Sequence, residues 1–227
     1  MKEKILELLK NQGFIRYSKN TSWLIFEKII RMTIGVFVGS WVARYLGPKD
    51  FGLFSYAQSF VAIFFGISTL GLDEILVREL VKEKNKEKLL ATSFVLRILG
   101  AFLLLIILFF IVILSSEENF TIGLIFIIAS SSIFQSFNVI YLYFQSEVKN
   151  KYPVLINLIS FSLISLLKII FIVKKSSLSA FAWLILLDSI ILAFGYLYFF
   201  YLKANFSFKN FSFKLKIGKY LLKNSCL

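Results

Sequence analysis

Apolar residues in this chain neither alternate nor hold to a single helical stripe. They run in blocks close to 20 residues long, parted by short segments rich in Lys, Glu, Asn and Ser. Such a block matches the roughly 20 residues that a helix needs to cross about 30 Å of hydrocarbon. The pattern predicts six spanning helices, at about 22–43, 51–71, 94–114, 120–144, 154–173 and 178–201. The expected fold class is therefore all-α, a polytopic membrane protein. A β-barrel would instead show short segments of alternating apolar and polar residues. Residues 1–20 read as a cytoplasmic N-terminal segment, and 202–227 as a cytoplasmic basic tail. Ile5, Leu6, Leu8 and Leu9 lie among lysines and glutamates in the first segment. They suit a short helix on the inner leaflet or a frayed tail. The connector at 72–90 mixes both charge signs and reads as a solvated helix.

Composition agrees with lipid as the main solvent. The 227 residues are 58% hydrophobic and include 27 phenylalanines, and the mean hydropathy is +0.80. One soluble core could not hide that much apolar surface. Histidine is absent and the only cysteine is Cys226, so disulfide frameworks, Cys/His zinc sites and histidine-dependent catalysis are excluded. No cofactor is expected. The first twenty residues hold no apolar run long enough for a signal-peptide core, so none is expected.

The net charge is +13, yet the lysines fall between the spans instead of forming one basic domain. Nucleic acid is not expected as a partner; membrane orientation accounts for the charge. With the N-terminus inside, eighteen of the 26 basic residues lie in segments facing the cytoplasm and four (Arg44, Lys49, Lys174, Lys175) in segments facing out. This asymmetry predicts that both termini are cytoplasmic.

Lys28, Arg31, Arg97 and Lys168 lie within the predicted spans, as do the acids Glu27 and Asp188. A charge near a helix centre costs roughly 2.5–3.5 kcal/mol on insertion scales, so each needs a reason. Arg97 and Lys168 lie about one turn from a span end and can snorkel to headgroups. Arg31 is about 14 Å inward from Ser22, close to the midplane. Glu27 precedes it by four residues, which puts acid and base on one helix face. The same row continues through Gly35, Gly39 and Ala43, a small-residue stripe suited to helix packing. That face either packs on a neighbouring helix or borders a hydrated path for a polar substrate. Asp188, also near the midplane, is a candidate partner for Arg31. The fourth span gathers Ser131, Gln135, Asn138 and Gln145 within about 80° of arc, and the fifth carries Asn157, Ser160 and Lys168. Polar side chains of this kind either line a path or hydrogen-bond neighbouring helices together. Gly47-Pro48 followed by Lys49, Asp50 and Gly52 predicts a tight hairpin between the first two spans.

Within WVARYLGPKDFGLFSYAQSFVAIFFGISTLGL, 41–72, the segments ARYLGPKDFG and SYAQSF resemble the Wzx-type oligosaccharide flippases of the multidrug/oligosaccharidyl-lipid/polysaccharide exporter superfamily. VREL at 77–80, NTSWL at 20–24 and YFQSEVKNKY at 143–152 support the likeness. The resemblance implies a bacterial inner-membrane transporter that moves undecaprenyl-diphosphate-linked oligosaccharide between leaflets in the synthesis of lipopolysaccharide O-antigen or another surface polysaccharide. It also implies a two-lobed fold around a central cavity, of which six helices form one lobe. Members run on into a seventh helix, so the expectation is a truncated or split form, its cavity closed by a second lobe or by homodimerisation. Arg31 is the first candidate for a cavity cation, with Glu27, Lys168, Asp188, Gln135 and Asn138 as further path residues. An arginine fits phosphate oxygens with fork-shaped, charge-assisted hydrogen bonds. No bond is broken in flipping, so no catalytic residue is expected.

Three other readings stay open on sequence. A cation-coupled multidrug exporter would favour acids in the cavity, whereas basic residues outnumber acids within these spans. A polyprenyl-phosphate sugar transferase would need carboxylates poised for a metal. Asp73, Glu74, Glu79, Glu83 and Glu87 are instead interleaved with Arg78, Lys82, Lys84, Lys86 and Lys88. A non-transporting membrane assembly protein is the third.

Overall fold

The computed structural model describes residues 12–83, 86–115, 117–204 and 212–225, with side chains from Ser18 to Asn224. Residues 1–11, where most of the expected leaflet helix falls, and Cys226 lie outside the described residues. So do Lys84 and part of the basic tail. The described elements are all helices: α1 Gln12–Thr69, α2 Asp73–Lys82, α3 Lys86–Leu114, α4 Asn119–Gln135, α5 Asn138–Ser146, α6 Lys151–Val173, α7 Leu178–Lys203 and α8 Leu215–Ser225. Five stretches are long and apolar enough to cross a membrane. The first of them makes two crossings.

α1 is 58 residues long, which at about 1.5 Å per residue would extend nearly three times the hydrocarbon thickness if straight. It is broken at Gly47, whose φ of 72° and ψ of 175° are not helical. A positive φ there suits a residue without Cβ, and Pro48 then opens the second half, where its missing N–H costs nothing. Contacts show that the chain reverses. Before the break, Asn20, Glu27 and Tyr45 meet Asn150, Asn157 and Ser176 in ascending order along α6. After it, Tyr56 meets Glu117, the carbonyls of Ile67 and Ser68 press on Gly100, and Asp73 pairs with Arg97, in descending order along α3. The result is a six-crossing up-and-down bundle.

Lipid-facing positions invert the soluble pattern. On α1, Met32 and Phe37 are 66% and 71% exposed, while Glu27 is 8% exposed. The packed interior has two parts. At the hairpin end, Val38, Val42, Phe54, Ala57, Val61, Leu104, Leu108, Ile128, Phe181 and Ala182 form a core of mostly aliphatic and small side chains. At the other end, here called the collar, Leu72, Leu76, Leu80, Tyr143, Phe144, Tyr196, Phe200 and Leu221 form the second. Close backbone packing is made at Gly100, where a Cβ would sit 2.7 Å from the Ser68 carbonyl oxygen, and at Gly195, where it would sit 2.5 Å from Ile156 Cγ2.

The structure adds detail to two sequence expectations, the span at 120–144 and the basic tail, and corrects two, the connector and Arg97. The span drawn at 120–144 is interrupted at Ser136–Phe137, where backbone bonds tighten to Ser136 N–H to Ile133 O and Phe137 N–H to Phe134 O. The Ser130 and Ser136 hydroxyls donate to carbonyls one turn back in the same helix, which favours bending. The connector is not simply solvated, because Leu72, Leu76 and Leu80 are fully buried beneath its charged face. The basic tail includes α8, which packs on α2 and α3. Arg97 does not snorkel; it is 3% exposed and pairs with Asp73.

Candidate functional site

The deepest charges meet where α1, α6 and α7 pack together. Glu27 and Arg31 form an ion pair, Arg31 Nη1 lying 3.3 Å from Glu27 Oε1. The helix dictates this, because residues four apart stack on one face. Asn157 Nδ2, from α6, donates to the same carboxylate oxygen at 2.8 Å. Tyr196, from α7, donates its hydroxyl to Asn157 Oδ1 at 2.6 Å. One chain of hydrogen bonds therefore fixes the acid from three helices. A buried carboxylate is tolerated only when compensated in this way.

The base is held differently. The Arg31 side chain is 41% exposed against 11% for Glu27, and its guanidinium lies 5.3 Å from the Phe161 ring centroid. A guanidinium has five N–H donors in a planar fork. Glu27 takes one, and the ring supports a face of the group without using a donor. The remaining donors are available to an anion.

One turn up α6 from Asn157, Ser160 donates its hydroxyl to Asp188 Oδ1 on α7. Asp188 thus accepts from Ser160, and Arg31 pairs with Glu27, as their four-residue spacing suggests, rather than with the alternative candidate Asp188. Lys168 is half-buried further along α6. Asn157, Ser160 and Lys168 cover about 16 Å of helix axis, so the polar groups form a ladder rather than a point site. Tyr141 extends it to α5, with its ring 6.2 Å from that of Tyr196.

The other expected residues stand apart. Gln135 and Asn138 flank the α4–α5 interruption, both half-buried. Gln135 donates to Ser131 of its own helix at 3.1 Å, outside the ladder. A Cβ on Gly35 would meet only the tip of Phe161, at 3.8 Å. A Cβ on Gly39 would find nothing within 4 Å. Ala43 is half-buried.

Among models of known protein families, one described as polysaccharide biosynthesis protein matches residues 17–225. The chain belongs to that family. No curated protein and no solved structure matches the chain. As a multi-pass polysaccharide biosynthesis protein it agrees with the Wzx-type resemblance seen at 41–72. Among the described residues, no group of three or more Asp, Glu or Cys could hold a metal ion. Sequence reasoning about this polysaccharide biosynthesis protein missed Tyr196 and Tyr141. A signal existed, since a buried Tyr needs a partner for its hydroxyl, but ten tyrosines gave no reason to prefer these two.

Proposed function

We propose that the chain moves a lipid-linked oligosaccharide across the bacterial inner membrane during surface-polysaccharide synthesis, with the collar end in the cytoplasm. One observation carries the reading: a part-exposed Arg31 guanidinium, deep in an apolar helix, whose counter-ion is buried behind it. A cation presented this way suits an anion that must leave water, such as the diphosphate joining a sugar to a polyprenyl lipid. Hydroxyl and amide groups at Asn157, Ser160 and Tyr196 resemble what sugar hydroxyls would meet along a path, and membership of a polysaccharide biosynthesis family supports the substrate class. The transport step needs no bond broken and no catalytic group.

The test compares wild type with Arg31→Gln and Arg31→Lys in sealed vesicles that carry lipid-linked oligosaccharide. Access of an added glycosidase to the sugar reads the leaflet. Gln should abolish transfer and Lys should retain part of it, since a lysine keeps the charge without the fork. Equal transfer by all three proteins would refute the role of Arg31.

A further inference from the structure

We propose that α8 is a docking face for anionic phospholipid at the collar-end surface of the membrane, with Lys216, Lys219 and Lys223 as its phosphate-binding stripe. This is independent of the flipping reading. At about 100° per residue the three lysines fall within about 60° of arc, roughly opposite the face formed by Ile217, Gly218 and Leu221. That face is anchored. Leu221 is fully buried, Gly218 packs against Thr92 and Leu96, and the Lys214 backbone N–H donates to Thr92 Oγ1 at 3.2 Å. All three lysines are exposed; Lys219 and Lys223 point away from the bundle, and Lys216 lines a cleft shared with α2.

The anchor sets the depth. Thr92 and Leu96 stand where the apolar block of α3 begins, so α8 lies at headgroup level, not below it in water. It packs on α2 and α3. Leu215, 69% exposed, and Tyr220, 48% exposed, flank the stripe and can enter the acyl boundary, as in interfacial helices with a basic polar face.

Among the described residues, no ion pair neutralises these lysines. Residues 203–227 contain no Asp or Glu. Lys216 shares a cleft of about 470 Å³ with Glu79, Glu83 and Lys88. Glu79 is taken by Arg78 at 3.2 Å and Lys82 at 3.9 Å, and Glu83, the acid that could compete with lipid phosphate for Lys216, forms no ion pair with it. Beside Asn224 a second cleft holds Asp73 and Glu74, and Asp73 is taken by Arg97. Among the described residues no acid lies within ion-pair distance of Lys216, Lys219 or Lys223. Anionic headgroups attract such clusters, each lysine adding to the attraction.

Hydrogen exchange on the full chain in nanodiscs tests this. Phosphatidylcholine alone is compared with a mixture containing phosphatidylglycerol. The anionic lipid should slow exchange across 215–223 by about tenfold. In a Lys216→Gln, Lys219→Gln, Lys223→Gln variant the slowing should vanish, while exchange in phosphatidylcholine stays at the wild-type level because the docked face is untouched. Equal exchange in both lipids, or a lipid effect that survives in the variant, overturns the proposal. So does protection given only by an added cytosolic fraction, which would assign a protein partner.

Discussion

Glu27–Arg31 and Asp73–Arg97 are mirror images. In the first the acid is 11% exposed and the base 41%; in the second the base is 3% exposed and the acid 55%. Burial of one partner marks which charge the fold holds, and exposure of the other marks which charge it offers. The collar pair offers an acid that already faces water, so its work is to tie α2 to α3. The deep pair offers a cation where no water would otherwise be, and that asymmetry separates a candidate path group from a structural one.

Breaking the collar pair should have the largest effect on folding. Asp73→Ala leaves Arg97 buried without its counter-ion, at a cost of about 3 kcal/mol. Thermal unfolding in detergent should show it, and adding Arg97→Met should recover most of the loss. Arg31→Gln also strips a buried charge of its counter-ion, but it should cost less, about 1–2 kcal/mol. Glu27 keeps the Asn157 amide as a donor, whereas Arg97 Nε and Nη2 have no hydrogen-bond partner apart from the Asp73 ion pair. Surface-polysaccharide output should fall at least tenfold, by analogy with losing a charge-assisted contact worth roughly 1.5–3 kcal/mol. If Arg31→Gln unfolds the protein as Asp73→Ala does, the contrast between the pairs is wrong. Glu27→Gln keeps an oxygen for Asn157 but drops the pairing with Arg31, so polysaccharide output should fall between wild type and Arg31→Gln. Tyr196→Phe removes only the hydroxyl that steadies Asn157. Its cost should be about 1 kcal/mol in unfolding experiments, with a minor drop in output.

Much of the architecture was written in the apolar blocks, because a hydrocarbon solvent imposes span length directly. The break at Gly47 and the four-residue spacing of Glu27 and Arg31 were legible for similarly local reasons. What stayed hidden depended on neighbours far along the chain. Asn157 is 130 positions from Glu27 and Tyr196 is 39 from Asn157, and nothing local selects either pairing. In the connector the leucines at 72, 76 and 80, the first capping α2 and the others within it, stand at helical spacing, but the charges between them suggest a solvated helix. Gly35 and Gly39 carried a packing pattern, while the close contacts fell at Gly100 and Gly195, whose partners no spacing rule could supply.

The hairpin end is built almost without loops. One residue, Gly47, reverses α1, and only residues 115–118 and 174–177 join the other helices there. A protease added on that side would find few sites to cut. From the collar side, the links around α2, α5 and α8 present many more lysines. Trypsin added to oriented vesicles should therefore cut from the hairpin side chiefly at Lys174 and Lys175 and from the collar side at many more lysines, so the fragment pattern would report its orientation without a reporter fusion.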